Sequence, residues 1–404
     1  MASLFSQLAV AGTLGIITLG IWLHLFFGRG WFWRVKKLVA DQLVEETQAE
    51  WPSVAAVIPA RNEAATIAKV MASLAQQDYP GNLSITIVDD HSEDATADLA
   101  KKAASESGAE NRVRILSASV LPAGWTGKLW ALNEGVSKGG DSTTRTSSEE
   151  PNERPDYFWF TDADIIHAPD TLRRLVTRAG RDKLDLASLM VLLQAKSFPE
   201  RALIPAFLYF FLMLYPPQWI ADEDLGTAGA AGGCILVKSE ALERIGGLAI
   251  IRGEVIDDCA LARAVKNSGG RVWMGLTRKS ASLRAYGSFS EIRDLIARTA
   301  FTQLRYSSLF LAGTLAAMFL TFVAPVMLLF VRDPTARVLG LGAWLFMTLS
   351  FIPTLRFYRL SLLWALSLPM IAIFYSLATM LSALRHWLGS GAQWKGRSQA
   401  PRGI

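Results

Sequence analysis

The stretch Tyr157-Phe158-Trp159-Phe160-Thr161-Asp162-Ala163-Asp164 decides the fold, because an apolar, aromatic run ends there in two carboxylates. We predict that it is a buried strand that delivers a metal site. Side chains alternate between the faces of an extended chain, so Asp162 and Asp164 are expected to point the same way and share one hard cation or its water ligands. A divalent ion held there would neutralise a pyrophosphate.

The tripeptide Asp-x-Asp is a weak signal by itself. Asp222 and Asp224 form a second copy, and no strand-like run precedes them. What distinguishes the first copy is its context, namely the buried run before it and the motifs on either side.

The composition favours a membrane protein over two soluble domains. Of the 404 residues, 51% are hydrophobic and the mean hydropathy is +0.26, with the excess at the two ends of the chain. Soluble proteins are roughly 45–50% apolar. The two cysteines, Cys234 and Cys259, are too few for a disulfide framework and form no Cys/His metal pattern.

The net charge of +5 has two interpretations. A basic balance can indicate nucleic acid, but here Lys and Arg are scattered and flank the apolar segments. Anionic lipid head groups and a phosphorylated substrate are therefore the expected partners, with no nucleic acid.

Apolar segments at both ends predict membrane helices. Residues 1–30 form an N-terminal anchor, because Leu8–Phe27 is long enough to cross a bilayer and the basic residues follow it. Residues 307–388 hold three further segments, and 389–404 are a basic tail. By the positive-inside rule the chain after Arg29 faces the cytoplasm. Four crossings would put the basic tail outside, against that rule, so a re-entrant segment is the alternative.

Between these ends, residues 50–306 alternate strands and helices, which is typical of a mostly parallel, three-layer α/β domain. The first two strands are Ser53–Pro59 and Ser84–Asp90. Ligands of open parallel sheets sit beyond the carboxyl ends of the strands, where Arg61, Asp89 and Asp90 fall. Strand-ending turn acids are an equally good interpretation of Asp89 and Asp90.

Lys128 follows a glycine at the start of a predicted helix, Gly127 to Gly135. A lysine there can meet phosphate oxygens together with free backbone N–H groups. On physical grounds alone, an exposed, solvated lysine is the simpler interpretation. The polar segment 137–155 has no periodicity and is expected to be a flexible surface insert.

The apolar segment 203–219 is short for a membrane crossing and contains Pro205, Pro216 and Pro217. A crossing would also place Asp162 and Asp258 on opposite sides of the membrane. We therefore expect an interfacial helix or hairpin.

Acids also begin a later helix, at Asp257 and Asp258. Acids favour a helix N-terminus for reasons of dipole alone, which suffices to explain Asp257. A carboxylate here would also suit a general base that faces an acceptor hydroxyl. An amphipathic, basic helix is predicted from Phe289 to Arg305.

Together these pieces resemble a membrane-bound family 2 glycosyltransferase with a GT-A fold, flanked by N-terminal and C-terminal transmembrane helices. The resemblance covers roughly residues 54–306. It rests on the order of Val57–Glu63, Val88–Ser92, Gly127–Gly135, Asp162–Asp164, Ile245–Gly247 and Asp257–Leu261. The chain is most similar to hopene-associated glycosyltransferases, by Phe301–Tyr306 and the tail Trp394–Arg397, and more distantly to ceramide glucosyltransferases.

The resemblance implies roles for single residues. Pro59, Arg61, Glu63, Asp89 and Asp90 would hold the nucleotide, with Lys128 near the uracil or diphosphate. Asp162 and Asp164 would bind Mg2+ or Mn2+, and Asp258 would be the catalytic base. The family's Gln-x-x-Arg-Trp motif is only partly kept, with Thr302 for Gln, Tyr306 for Trp, and Arg305 retained to pair with phosphate.

The implied activity is inverting transfer of a sugar from a nucleotide diphosphate donor, a UDP-sugar, to a membrane lipid hydroxyl such as that of a hopanoid. The implied location is a multi-pass protein of the bacterial inner membrane. Polyprenyl phosphate or a growing polysaccharide is the alternative acceptor. The altered Gln-x-x-Arg-Trp segment also raises the alternative of an inactive scaffold in a lipid-synthesis complex.

Overall fold

The structure, a computed structural model, describes residues 2–41, 50–139, 154–389, 393–394 and 397–398. Most of the predicted insert 137–155 and most of the basic tail lie outside these ranges. The chain divides into two compact units. The helical unit comprises 1–38, 195–218 and 286–391, and the sheet unit comprises 39–194, 219–285 and 392–404.

The sheet unit is built on an eight-stranded sheet in the order β3-β2-β1-β4-β7-β6-β8-β5. Its strands are β1 Val54–Ala60, β2 Leu83–Asp89, β3 Val113–Ser117, β4 Tyr157–Phe160, β5 Ile165–His167, β6 Leu186–Leu192, β7 Ile235–Lys238 and β8 Val272–Ser282. Strands β3, β2, β1 and β4 run parallel, β7 is antiparallel to both neighbours, and β8 is parallel to β6. The sequence predicted this mixed, mostly parallel α/β sheet correctly. Two short strands outside it, Gln393–Trp394 and Arg397–Ser398, pair with each other.

All seven residues of β1 are buried, because β2 and β4 flank its two edges and a helix packs against it. Val57 of β1 pairs with Phe160 of β4 in parallel register, which brings the ends of both strands to one edge. The helix Gly127–Gly139, α4, packs closely against β1. A Cβ added to Gly135 would lie 2.3 Å from Cγ1 of Val57, so this position tolerates only glycine.

The helices of the sheet unit connect these strands. They are α2 Ile67–Ala75, α3 Thr96–Glu106, α4 Gly127–Gly139, α5 Thr171–Arg181, α8 Ser239–Arg244 and α9 Asp257–Asn267. The remaining helices are α1 Ala2–Leu23, α6 Phe198–Leu214, α7 Pro217–Ala221, α10 Phe289–Ala297, α11 Ala300–Gln303, α12 Ser308–Met318, α13 Ala324–Met327, α14 Pro334–Phe357 and α15 Leu368–Trp387. The single helix predicted over 289–305 is wrong, since α10 and α11 are separate.

Four helical stretches of the described residues are long and apolar enough to cross a membrane. They are Val10–Gly28, Ser308–Phe330, Pro334–Phe357 and Leu362–Trp387. Each coincides with a segment predicted from the sequence. The number of crossings and the side that each loop faces stay predictions.

The segment 203–219, predicted to lie at the interface, contains most of helix α6 and the start of α7. Helix α6 begins with a capping box between Ser197 and Glu200. Other parts of the helical unit cover most of α6. The Tyr209 hydroxyl is 2.7 Å from Oγ of Ser350, and the Tyr375 hydroxyl donates to the Leu203 carbonyl. More of the surface of α6 is therefore buried by protein than we expect for a helix that exposes one face to lipid. Its placement at the membrane interface stays a prediction.

Candidate active site

A pocket with a mostly apolar lining and a few charged side chains opens where β1 and β4 end, within the sheet unit. The starts of helices α4 and α9 and the Gly/Ala-rich segment before β7 complete its wall. The lining residues are Pro59, Lys128, Leu129, Leu132, Phe160, Thr161, Asp162, Gly232, Ile235, Leu248, Ile251, Asp257, Asp258 and Leu261. Four predicted site residues, Pro59, Lys128, Asp162 and Asp258, therefore meet in one place.

Lys128 is the cation at the centre of this pocket. Its Nζ lies 3.0 Å from Oδ1 of Asp162 and 3.1 Å from Oδ2 of Asp257, and its side chain is only 17% exposed. Burial opposes the charged form, but the surrounding carboxylates outweigh it and raise the pKa of Lys128. The simpler interpretation of an exposed, solvated lysine is therefore wrong.

Asp258 is held rigidly at the head of α9. Its Oδ2 accepts a hydrogen bond from the Gly232 amide at 2.9 Å, and its Oδ1 accepts one from the Cys259 amide at 2.7 Å. Burial is the main cause that raises the pKa of Asp258 to about 6, and the neighbouring charge of Asp257 adds to it. A carboxylate with this pKa is ionised at neutral pH and still basic enough to take a proton.

Asp162 and Asp164 lie in the turn between β4 and β5, not on a strand. Because β4 ends at Phe160, the argument from alternating side chains was wrong. Asp162 enters the pocket, whereas Oδ2 of Asp164 accepts a hydrogen bond from Oγ of Ser282 at 3.1 Å. Burial, helped by Asp164, raises the pKa of Asp162 against the opposing charge of Lys128, so the two acids are close enough to interact.

Within the described residues no group of three or more His, Cys, Asp or Glu side chains is arranged to hold a metal ion. A pair of carboxylates nevertheless fits Mg2+ or Mn2+. Magnesium is usually bound by one or two carboxylates, with waters and substrate phosphates completing the octahedron. The assignment of Asp162 and Asp164 as the ligands stays a prediction.

The buried side chain of His167 links the turn between β4 and β5 to strand β8. Nε2 of His167 is 2.8 Å from Oγ1 of Thr161, and Nδ1 is 2.8 Å from Oγ of Ser280. Burial lowers the pKa of His167 to about 3, so the ring is neutral and accepts a hydrogen bond from one of the hydroxyls. The turn that carries both acids is thus tied to β8.

The nucleotide-binding candidates beyond β1 and β2 lie at the same sheet edge but outside the pocket lining. Arg61 donates through Nη1 to the carbonyls of Asp90 and His91. Asp89 accepts from the amide and hydroxyl of Ser92, which is the turn-forming role considered for it. Asp90 is fully buried, and the Glu63 amide donates to Oγ1 of Thr96. These contacts join the two loops into one platform.

Helix α9 fixes the segment that leads to Gly232. Its last turn carries Lys266, whose ammonium donates to the carbonyls of Trp219, Ile220 and Thr227 at 3.1, 2.8 and 2.8 Å. Its first turn carries Asp258, which holds the Gly232 amide. One helix therefore restrains both ends of residues 219–232.

Arg305 belongs to the helical unit, where it and Tyr306 adopt left-handed backbone angles, φ 53° and 56°. The Thr302 hydroxyl donates to the Tyr306 hydroxyl at 3.1 Å, and the Tyr306 ring stacks on His386. The residues that replace Gln and Trp of the family motif thus contact each other. The role of Arg305 stays a prediction.

Sequence reasoning missed three residues of the site, Asp257, Gly232 and His167. Asp257 was explained by the helix dipole, although its carboxylate binds Lys128. The one available signal was its position beside Asp258. Gly232 and His167 act through contacts with residues 26 and 113 positions away, which no local pattern reveals.

The chain matches a known family over residues 55–246, just under half of its length. The family is described as "Glycosyl transferase family 2". A curated relative, an N-acetylglucosaminyltransferase of Bradyrhizobium elkanii, is 31% identical over 136 residues. That match spans 33% of this chain and 64% of the relative, less than two thirds of its length.

A similar solved structure is the mannosyltransferase PcManGT of Pyrobaculum calidifontis, in complex with GDP-Man and Mn2+. It is 19% identical, covers 92% of this chain and 99% of its own, and has a TM-score of 0.52. This likeness shows the fold alone, and it agrees with the GT-A fold expected from the sequence.

Proposed function

We propose that the chain moves a sugar from a nucleotide diphosphate donor to an acceptor hydroxyl, with inversion. The match of residues 55–246 to the glycosyl transferase family 2 model supports this proposal. The observation that carries this proposal is the Asp258 carboxylate. Two backbone amides orient it in a pocket that also holds Lys128 and Asp162. A fixed base beside a charge-binding site is the arrangement that displacement of a diphosphate needs.

The donor would lie along the carboxyl ends of β1, β2 and β4. Pro59 and the platform of Arg61, Glu63, Asp89 and Asp90 would hold the nucleoside. Lys128 would meet the diphosphate, and Asp162 with Asp164 would hold Mg2+ or Mn2+. The metal, when bound, would neutralise charge on the leaving diphosphate. The relative solved with GDP-Man and Mn2+ supports a nucleotide-sugar donor and a divalent ion.

The chemical step needs one base and no covalent enzyme intermediate. A carboxylate oxygen of Asp258 takes the proton of the acceptor hydroxyl, and that oxygen forms a bond to the anomeric carbon. On the opposite face, the bond from the anomeric carbon to the diphosphate oxygen breaks, and the diphosphate leaves with the electron pair. Each Asp258 oxygen accepts one backbone amide and keeps a lone pair for the proton.

The acceptor we favour is the hydroxyl of a membrane lipid, for which a hopanoid is one candidate. Four helices long and apolar enough to cross a membrane support this choice, because such a chain would work beside lipid. Polyprenyl phosphate is the alternative acceptor. In the same proposal the domain 50–306 faces the cytoplasm, where nucleotide sugars are made, and Arg305 pairs with phosphate.

The test is calorimetry of UDP and GDP binding to the full chain in detergent, with and without Mn2+. We expect metal-dependent binding of one nucleotide to the wild type and its loss in Asp162→Asn/Asp164→Asn. The second Asp-x-Asp offers a matched control. Asp222 and Asp224 are exposed and lie outside the pocket lining, so Asp222→Asn/Asp224→Asn should bind like the wild type.

Two results would contradict the proposal. The first is a folded wild type that binds no nucleoside diphosphate with either Mn2+ or Mg2+, which would favour the scaffold alternative. The second is equal loss of binding in both double variants, which would remove the assignment of the donor site to Asp162 and Asp164.

A further inference from the structure

The ammonium of Lys128 contacts Asp162, one of the two predicted metal ligands. Nζ lies 3.0 Å from Oδ1 of Asp162 and 3.1 Å from Oδ2 of Asp257. A Cβ added to Gly232 would lie 3.1 Å from the same Nζ and 3.5 Å from Oδ2 of Asp258, so Gly232 lies beside both the ammonium and the Asp258 carboxylate. Among the residues that line this pocket, Lys128 is the one Lys or Arg.

An ammonium and a divalent ion compete for one carboxylate oxygen. Mg2+ binds oxygen at about 2.1 Å, so an ion on Oδ1 of Asp162 would lie within about 5 Å of Nζ, and the two positive charges would repel each other. The Lys128 side chain is only 17% exposed, so water would screen this repulsion less than at an exposed site. Each cation therefore weakens the binding of the other at Asp162.

We propose that Lys128 is an internal substitute for the metal, which keeps Asp162 neutralised until the donor arrives. In the empty pocket the ammonium excludes free Mn2+ or Mg2+. A nucleoside diphosphate brings negative charge that draws the ammonium away from Asp162, with Asp257 as the partner that it keeps. Metal and donor then bind together. The donor part of this inference rests on the proposed function.

This arrangement makes the two ligands raise each other's affinity by the same factor, as thermodynamic linkage requires. The coupling would be carried by one side chain with two alternative partners, Asp162 and the diphosphate. It would prevent the enzyme from holding a metal without a donor.

The decisive experiment measures Mn2+ binding in the absence of nucleotide, by electron paramagnetic resonance or calorimetry on the full chain. The central variant is Lys128→Gln/Asp257→Asn, which removes one positive and one negative charge and so leaves the net charge of the pocket unchanged. If Lys128 acts only through the net charge of the pocket, this variant should bind Mn2+ with the wild-type affinity. Release of Asp162 from the ammonium predicts Mn2+ affinity higher by about tenfold or more.

Further variants locate the effect. Adding Asp162→Asn to the central variant should abolish the gain, because it removes the oxygen that Lys128 had covered. The single variant Lys128→Gln should also bind free Mn2+ more tightly than the wild type. Unfolding midpoints verify that each variant is folded. Equal Mn2+ affinity in the wild type and the central variant, within about twofold, would overturn the inference.

A measurement on the wild type alone does not depend on the variants folding. The affinity for Mn2+ should rise about tenfold or more when UDP or GDP is present. Equal affinity with and without a nucleotide that binds would overturn the inference. If no nucleotide binds at all, the proposed function fails, whereas the metal-only comparison still decides what Lys128 does.

Discussion

The backbone amide of Gly232 donates a hydrogen bond to Oδ2 of Asp258 across 2.9 Å. These two residues come from different segments, the Gly/Ala-rich stretch before β7 and the head of α9. The bond orients the carboxylate without a side-chain partner. Lys128 forms its ion pairs with the other two acids, Asp162 and Asp257. Within one pocket, the candidate base and the charge-binding residues therefore have different partners.

Asp258→Asn is expected to lower kcat by roughly a hundredfold to ten-thousandfold, the usual contribution of a positioned general base. The amide keeps the size of the carboxylate but cannot take the proton. The measurement is transfer of sugar from the donor identified by nucleotide binding to a lipid extract. UDP or GDP affinity should stay within about threefold of the wild type, since Asp258 is not assigned to the donor. Full transfer by a folded variant would remove the role of Asp258.

The pH profile of kcat/KM should rise with pH and level off above about 7. The pKa of Asp258 is raised to about 6, and a base works only in its ionised form, so protonation disables it below that pH. The slope should approach tenfold per pH unit on the acid side. Nucleotide affinity measured over the same range serves as the control. A flat profile between pH 5 and 7 would contradict the assignment.

His167 should make the sheet unit sensitive to acid. The unfolded chain binds a proton at this ring near pH 6.5 and the folded chain only at about 3, so stability falls as the pH drops between these values. The expected slope is about 1.4 kcal/mol per pH unit at most. His167→Gln should lose this part of the acid sensitivity in unfolding experiments. The exposed His91, changed to Asn, is the matched control, and an equal pH dependence in both variants would contradict the prediction.

Lys266→Met is expected to loosen residues 219–232. Three backbone carbonyls, those of Trp219, Ile220 and Thr227, lose an ammonium donor. We expect the free energy of unfolding to fall by on the order of 1–3 kcal/mol, a loss that is limited because water partly reaches Lys266. Hydrogen exchange of the Gly232 amide should become faster. Lys102 is 70% exposed on α3, so Lys102→Met should leave exchange unchanged. Unaltered exchange in Lys266→Met would show that the lysine does not restrain this segment.

The part of the fold that could be predicted is the part where burial imposes a local pattern. The apolar runs of β1, β2 and β4 and the long apolar segments at the ends of the chain are of this kind. Strand β8 was not predicted, since Arg278, Lys279 and Ser280 interrupt its apolar residues. Strand β5 has only three residues and forms because β8 lies beside it.

The family resemblance assigned Pro59 and Asp258 to one site, and both residues line the same pocket. Partners distant in sequence were not visible. Asp257, far along the chain, contacts the buried ammonium of Lys128, and no window of sequence around Lys128 contains that information. The turn that holds Asp162 likewise depends on Ser280 and Ser282 of β8, a strand that the sequence did not predict.

The close contact between Gly135 and Val57 has a mechanical consequence. Helix α4 carries Lys128 in its first turn and Gly135 seven residues later, about 10 Å further along the helix axis. The helix contacts β1 at Gly135, so a displacement there would also move Lys128. A methyl group at position 135 would lift the helix and swing the ammonium at the other end. The substitution Gly135→Ala, combined with a cavity-creating substitution at Val57, would then change the position of the Lys128 ammonium without altering a charged residue.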